Sequence, residues 1–69
     1  MPLGTVRLFN DILGNGFIDP DDGSPGVRVS YRSIINDGYK ILYESQRVAF
    51  EIGQSSRGPV AIKVIPVEY

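Results

Sequence analysis

Cysteine and histidine are both absent from the 69 residues. Their absence removes disulfides, and metal sites built on the usual soft ligands, as ways of holding a small fold together. The lack of cysteine fits a reducing compartment. No apolar run approaches the ~18 residues that a bilayer-crossing helix needs. The start, Met1-Pro2-Leu3-Gly4, has neither the charged nor the apolar region of a signal peptide. A soluble, cytoplasmic protein is the expectation.

An excess of one charge is also missing. Seven basic residues face eight acidic ones, for a net charge of −1. Bulk charge therefore does not announce a nucleic-acid partner, and a basic patch requires the two signs to segregate on the surface. The carboxylates have no histidine or cysteine to work with, and no lysine at catalytic spacing, so acid–base and nucleophilic apparatus is lacking. Asp19, Asp21 and Asp22 do not follow the EF-hand spacing, and no downstream bidentate glutamate completes it. They read as a solvated turn. Neither an enzyme nor a cofactor or metal site is expected.

What the chain does have is short β-rich runs cut by Gly, Pro, Asn and Asp, the pattern of a sandwich or barrel. Residues 1–69 allow one domain. A chain this short buries only about 60% of its unfolded surface, so hydrophobic burial must be used well. Residues 3–12 suit a first strand. Gly14-Asn15-Gly16 is a turn signal, because Gly and Asn tolerate positive φ. Residues 17–19 form a short second strand stopped by Pro20, and residues 20–26 are turn chemistry throughout. Residues 27–31 alternate, with Val27, Val29 and Tyr31 on one face and Arg28 and Ser30 on the other, although Tyr31 sits at the strand end, where alternation weakens. One helical turn is expected over 32–37, then a long loop over 38–45.

Residues 46–52 alternate again, predicting Val48, Phe50 and Ile52 inward. Residues 53–58 read as a hairpin loop. The last strand, 60–67, is apolar on both faces, with Val60, Ile62 and Val64 on one and Ala61 and Ile65 on the other. Val60, Ile62 and Ile65 exceed what one buried face needs. They read either as packing under a loop or as an edge that pairs with a second copy or a protein partner. Five strands leave too many edges for an open sheet, and closure into a barrel removes them.

Several segments together carry a family resemblance. They are Gly4-Thr5-Val6-Arg7-Leu8-Phe9-Asn10, Gly14-Asn15-Gly16-Phe17-Ile18, Pro20-Asp21-Asp22-Gly23, Val27-Arg28-Val29-Ser30-Tyr31, Gly38-Tyr39-Lys40, Val48-Ala49-Phe50-Glu51 and Arg57-Gly58-Pro59. In order and spacing this set resembles the cold shock protein family over essentially the whole chain. The resemblance implies an all-β fold, a small five-stranded Greek-key barrel of the OB-fold type. It also implies binding of single-stranded RNA or DNA on one face, in an RNA-chaperone or regulatory role.

Carried over position by position, the resemblance points to Arg7, Phe9, Phe17, Arg28, Tyr31, Tyr39 and Lys40 as nucleic-acid-binding residues. Four positions depart from the family's motifs. Leu8 stands for a tryptophan, Asn15 for an aromatic, Arg28 for a phenylalanine and Ser30 for a histidine. The implied core positions Val6, Ile18, Val27, Val29, Ile34, Val48, Phe50 and Val64 stay apolar. The departures thus fall on the ligand face and not in the core. Two readings stay open: a nucleic-acid binder with fewer stacking positions, and a diverged barrel serving as a protein-interaction module or scaffold. The aromatics carry the same choice, since Phe9, Phe17, Tyr31 and Tyr39 can either stack on bases or cap the barrel.

Overall fold

In the computed structural model, which describes residues 2–36 and 38–67, five strands follow one another. They are β1 (Leu3–Asn10), β2 (Asn15–Pro20), β3 (Val27–Ser30), β4 (Arg47–Ser55) and β5 (Gly58–Pro66). One 3-10 turn, Tyr31–Ser33, follows β3. The strands close into a barrel in the order β1-β2-β3-β5-β4. β1, β2 and β3 form an antiparallel meander, and β4 returns by a long connection to lie beside β1. That arrangement is a Greek key, and with β5 it makes the expected OB-type barrel.

The barrel is filled by Val6, Ile18, Val27, Val29, Ile34, Leu42, Val48, Phe50, Ala61 and Val64, each at most 4% exposed. No polar side chain is buried among the described residues. Full burial of a Val, Ile or Phe side chain contributes about 1.5–3 kcal/mol. Because the core is wholly apolar, no desolvated polar group offsets that gain. Every core position implied by the family resemblance is among the buried set.

Two bulges decide which residues face out. Val6 pairs with Ile18 but Leu8 pairs with Phe17, so Arg7 is an extra residue in β1. A bulge of this kind resets the alternation of a strand. Arg7 and Leu8 are consequently both exposed, while Phe9 packs against the core. The second bulge lies in β5. Glu51 pairs with Lys63 and Ile52 with Ala61, which leaves Ile62 as the extra residue.

The second bulge corrects the expected faces of the last strand. Ala61 and Val64 are both fully buried, whereas Ile62 is 45% exposed. Ile52, expected inside, is also exposed, although its partner Ala61 is fully buried. The packed interior therefore ends short of Ile52. β4 continues to Ser55, so the expected hairpin loop shrinks to a turn at residues 56–57.

Other boundaries differ from the sequence reading as well. β2 is longer than expected and includes Asn15 and Pro20. Tyr31 leaves the strand and opens the 3-10 turn, whose first residues are capped by Ser30 Oγ accepting from Arg32 N at 3.4 Å. The expected helical turn therefore starts one residue early, and its far end at Asp37 lies outside the described residues. The long loop is as expected, but Leu42 anchors it in the core at 4% exposure. Ile34 bridges to Val64, and Ile35 N donates to Val64 O at 2.8 Å.

The last strand is also not a free edge. β5 pairs with β4 along most of its length and with β3 at Arg28–Val60. Closure occupies the backbone groups that an edge would offer to a second chain.

Candidate nucleic-acid interface

The register of the sheet aligns an outward row across four strands. Leu8 on β1 pairs with Phe17 on β2, Phe17 with Arg28 on β3, and Arg28 with Val60 on β5. Leu8 and Phe17 are 41% and 37% exposed, and Arg28 is exposed beside them. Two residues along, Asn15 pairs with Ser30. Side chains two apart on a strand share a face, so Asn15, Phe17, Arg28 and Ser30 form a two-by-two block.

The turn between β1 and β2 is built by Asn10. Its Oδ1 accepts from Ile12 N at 3.0 Å and Leu13 N at 2.9 Å. Gly14 then turns the chain with φ of 74°, a conformation that costs glycine little. A Cβ on Gly14 would lie 2.6 Å from the ring of Tyr31. The Tyr31 ring thus rests on the bare backbone of this turn, and Tyr31 N donates to Gly14 O at 2.8 Å. Gly16 is needed for a second reason, since a Cβ there would meet the backbone of Leu8 and Phe9.

The seven sequence-predicted residues fall into distinct places. Phe17 and Arg28 share the central row. Tyr31, 43% exposed, lines a groove of about 440 Å³ with Lys40 and the exposed Ile12 and Leu13. The Arg32 guanidinium sits 5.7 Å from the centre of the Tyr31 ring, within cation–π range. Lys40 Nζ is tethered by donating to Asn36 O at 2.8 Å and Asn36 Oδ1 at 3.1 Å. Tyr39, 88% exposed, projects from the loop and lines a different groove of about 530 Å³ with Ile35, Ile41 and Tyr43. Phe9 is half-buried against the core.

Arg7 is engaged within the fold. Its guanidinium donates to both carboxyl oxygens of Asp19, with Nε at 3.0 Å from Oδ1 and 3.1 Å from Oδ2. This hydrogen bonding holds the Asp19 carboxyl below the usual carboxylate range. Arg47 does the same for Asp21, at 2.7 Å and 2.5 Å. The Asp22 carboxyl is lowered too, first by hydrogen bonding with the Ser24 side chain and then by Ser24 N, which donates to Asp22 Oδ1 at 2.9 Å. The acidic turn is therefore an ordered set of internal partners.

Three residues outside the expected set, Arg57, Ile12 and Leu13, line the same grooves. Arg57 belongs to the turn between β4 and β5 yet lines a cleft of about 310 Å³ with Arg28 and Ser30. Only the β3–β5 register brings these distant segments together. Ile12 and Leu13 are 90% and 68% exposed. Two such exposed apolar residues in a tight turn were the available signal.

The apolar residues of β5 do not line one common groove. Val60 lines the Arg28 cleft, and Ile65 lines the Tyr39 groove. Ile62 lies against Gly53, where an added Cβ would come within 2.8 Å of its side chain.

Comparison with known proteins agrees with this architecture. The family profile described as "'Cold-shock' DNA-binding domain" matches residues 3–67. Probable cold shock protein A of Mycolicibacterium smegmatis is 52% identical over 64 residues, covering 93% of this chain and 96% of that protein. Cold shock-like protein CspE of Escherichia coli (strain K12) is 48% identical over 62 residues, covering 90% of each chain. Cold shock-like protein CspA of Vibrio cholerae is 44% identical over 61 residues, covering 88% of this chain and 87% of that protein. With a closed five-stranded barrel and a family match over nearly its full length, this chain belongs to the cold-shock domain family.

Proposed function

We propose that this chain, acting as one domain over residues 1–69, binds single-stranded RNA or DNA on the face of β1, β2 and β3 in the manner of an RNA chaperone. The observation that carries the reading is the exposed row Leu8, Phe17 and Arg28, with the aromatic at its centre. An unpaired base exposes a flat π surface, and stacking it on an aromatic side chain contributes about 1–3 kcal/mol. Phe17 provides such a platform, Tyr31 adds a ring beside the neighbouring turn, and Tyr39 offers a further exposed ring on the separate loop groove. Arg28 adds a planar guanidinium that both stacks and pairs with phosphate. Lys40 adds charge beside Tyr31.

Phe9 and Arg7 take supporting parts. Phe9 braces the sheet from within, and Arg7 holds the β2 end through Asp19. The chain works by binding, a reading supported by its match to a 'Cold-shock' DNA-binding domain. A cytoplasmic location fits this role, and no helix among the described residues is long and apolar enough to cross a membrane.

The test is fluorescence anisotropy with labelled mixed-sequence oligonucleotides at low salt. Single strands are expected to bind well above duplex of the same sequence, with affinity falling as salt rises. Absence of any shift at low salt overturns the reading. A second reading, self-association or a protein partner at β5, draws support from the exposure of Ile62 and Ile65, 45% and 39%. Sedimentation at rising concentration decides it, and a strict monomer removes self-association.

A further inference from the structure

Three of the four positions where this sequence departs from the family's motifs line one cleft: Asn15, Arg28 and Ser30. Ser55, Arg57 and Val60 form its other side. No carboxylate among the described residues lines it. The seven cations of the chain divide sharply around this cleft. Arg7, Arg47 and Lys63 pair with Asp19, Asp21 and Glu51. Lys40 is held by Asn36, and Arg32 by Tyr31. Arg28 and Arg57 alone have no side-chain partner among the described residues, and both line the cleft. These three departures thus line one positive concavity beside the Phe17 platform.

We propose that this cleft is a guanine subsite, in which Arg28 reads the edge of a base stacked at Phe17 and Arg57 holds the adjoining phosphate. The inference rests on the proposed single-strand binding. A base lying over Phe17 turns an edge towards Arg28, its direct cross-strand neighbour. The arginine fork presents two parallel N–H donors. Guanine answers with two adjacent acceptors, N7 and O6, whereas adenine offers N7 beside an amino donor and thymine a single O4 on that edge. Asn15 and Ser30 stand opposite one another on the same face. Their oxygens are acceptors for the amino and ring N–H groups that guanine also carries. A phosphate alone has no use for these acceptors, and a stacking ring has no use for the arginine fork.

The full-length chain is titrated, by anisotropy, with short labelled oligouridine strands carrying one guanine, adenine or cytosine at successive positions. One guanine position is expected to tighten binding about tenfold over oligouridine. Arg28→Lys keeps the charge but loses the fork, so guanine-containing and all-uridine strands then bind alike. Arg57→Gln weakens every strand and flattens the salt dependence while the guanine preference remains. Circular dichroism melts show that each variant is folded. Equal binding of all strands by the unaltered chain overturns the subsite and leaves single-strand binding standing. A guanine preference that survives Arg28→Lys overturns it too, as does a cytosine or adenine preference in its place. If no strand binds at all, the single-strand reading fails and the subsite with it.

Discussion

Phe17 and Arg28 face each other across the β2–β3 ladder. Directly opposed side chains in such a pair stand about 4.5–5.5 Å apart at Cβ. An aromatic platform and a guanidinium with no side-chain partner among the described residues are therefore within reach of one nucleotide. The platform is exposed, so it contributes little to the core and can be removed without emptying it.

Phe17→Ala is expected to weaken oligonucleotide binding by about 1–3 kcal/mol, the worth of one stacked base. Its unfolding free energy should change by less than that, because the ring is 37% exposed and outside the core cluster. Paired anisotropy titrations and urea melts check this. Equal losses in both measurements would show that Phe17 is a structural residue.

Gly14→Ala is expected to destabilise the fold by about 1–2 kcal/mol, since an L side chain at positive φ is strained. The added methyl also pushes on the Tyr31 ring. Tyr31 signals in an NMR spectrum should shift along with the lowered melting temperature. Gly23→Ala provides the contrast, because its φ is also positive but nothing lies within 4 Å. Strain alone acts there, and Tyr31 should not respond.

Phe50→Ala should cost about 3–5 kcal/mol, the range for truncating a buried phenylalanine. Phe50 is fully buried at the centre of the core. A domain of this size has little reserve, so the variant is expected to be largely unfolded at 37 °C by circular dichroism. A well-folded variant with an unchanged melting temperature would contradict the packing described.

Acid should loosen the turn after β2. The carboxyls of Asp19, Asp21 and Asp22 are all held below their ordinary range in the folded state. A lowered folded-state pKa means that the carboxylates stabilise the fold fully above their unfolded pKa of about 3.9. That contribution is lost as pH falls below about 4 and through the lowered values. Stability measured by urea melts is therefore expected to be flat from pH 7 to 5 and to fall below 4. Arg7→Gln with Arg47→Gln should reduce the acid-sensitive part, because the hydrogen bonds lowering Asp19 and Asp21 are gone.

The core was legible in the residues because strand alternation is local. Val27 and Val29, or Val48 and Phe50, are two apart and share a face whatever surrounds them. Leu42 was not legible, since it lies in a segment without period and is buried only because the loop folds back onto the barrel. Ile62 departs from its expected face because strict alternation does not pass through the β5 bulge, and a bulge is visible only once the partner strand is known; Ile52 is exposed because the packed interior ends short of it.

The candidate site divides in the same way. Phe17, Arg28 and Tyr31 carried a family pattern that could be read along the chain. Arg57 lies in the resembling segment Arg57-Gly58-Pro59, but its place beside Arg28 depends on β5 meeting β3 far from it in sequence. Arg7 was read as a binding cation, yet the fold gives it Asp19 as a partner twelve residues away.

The sequence by itself determined an all-β barrel without disulfides or histidine, with an apolar core and with its departures from the family's motifs kept out of that core. Composition and short-range alternation are enough for that, because they act on each strand separately. Tertiary structure alone decided where the two bulges fall, which cations are already partnered, and that Asn15, Arg28, Ser30 and Arg57 line one cleft. Each of these depends on register between strands distant in the chain, where a single-residue shift turns side chains to the opposite face.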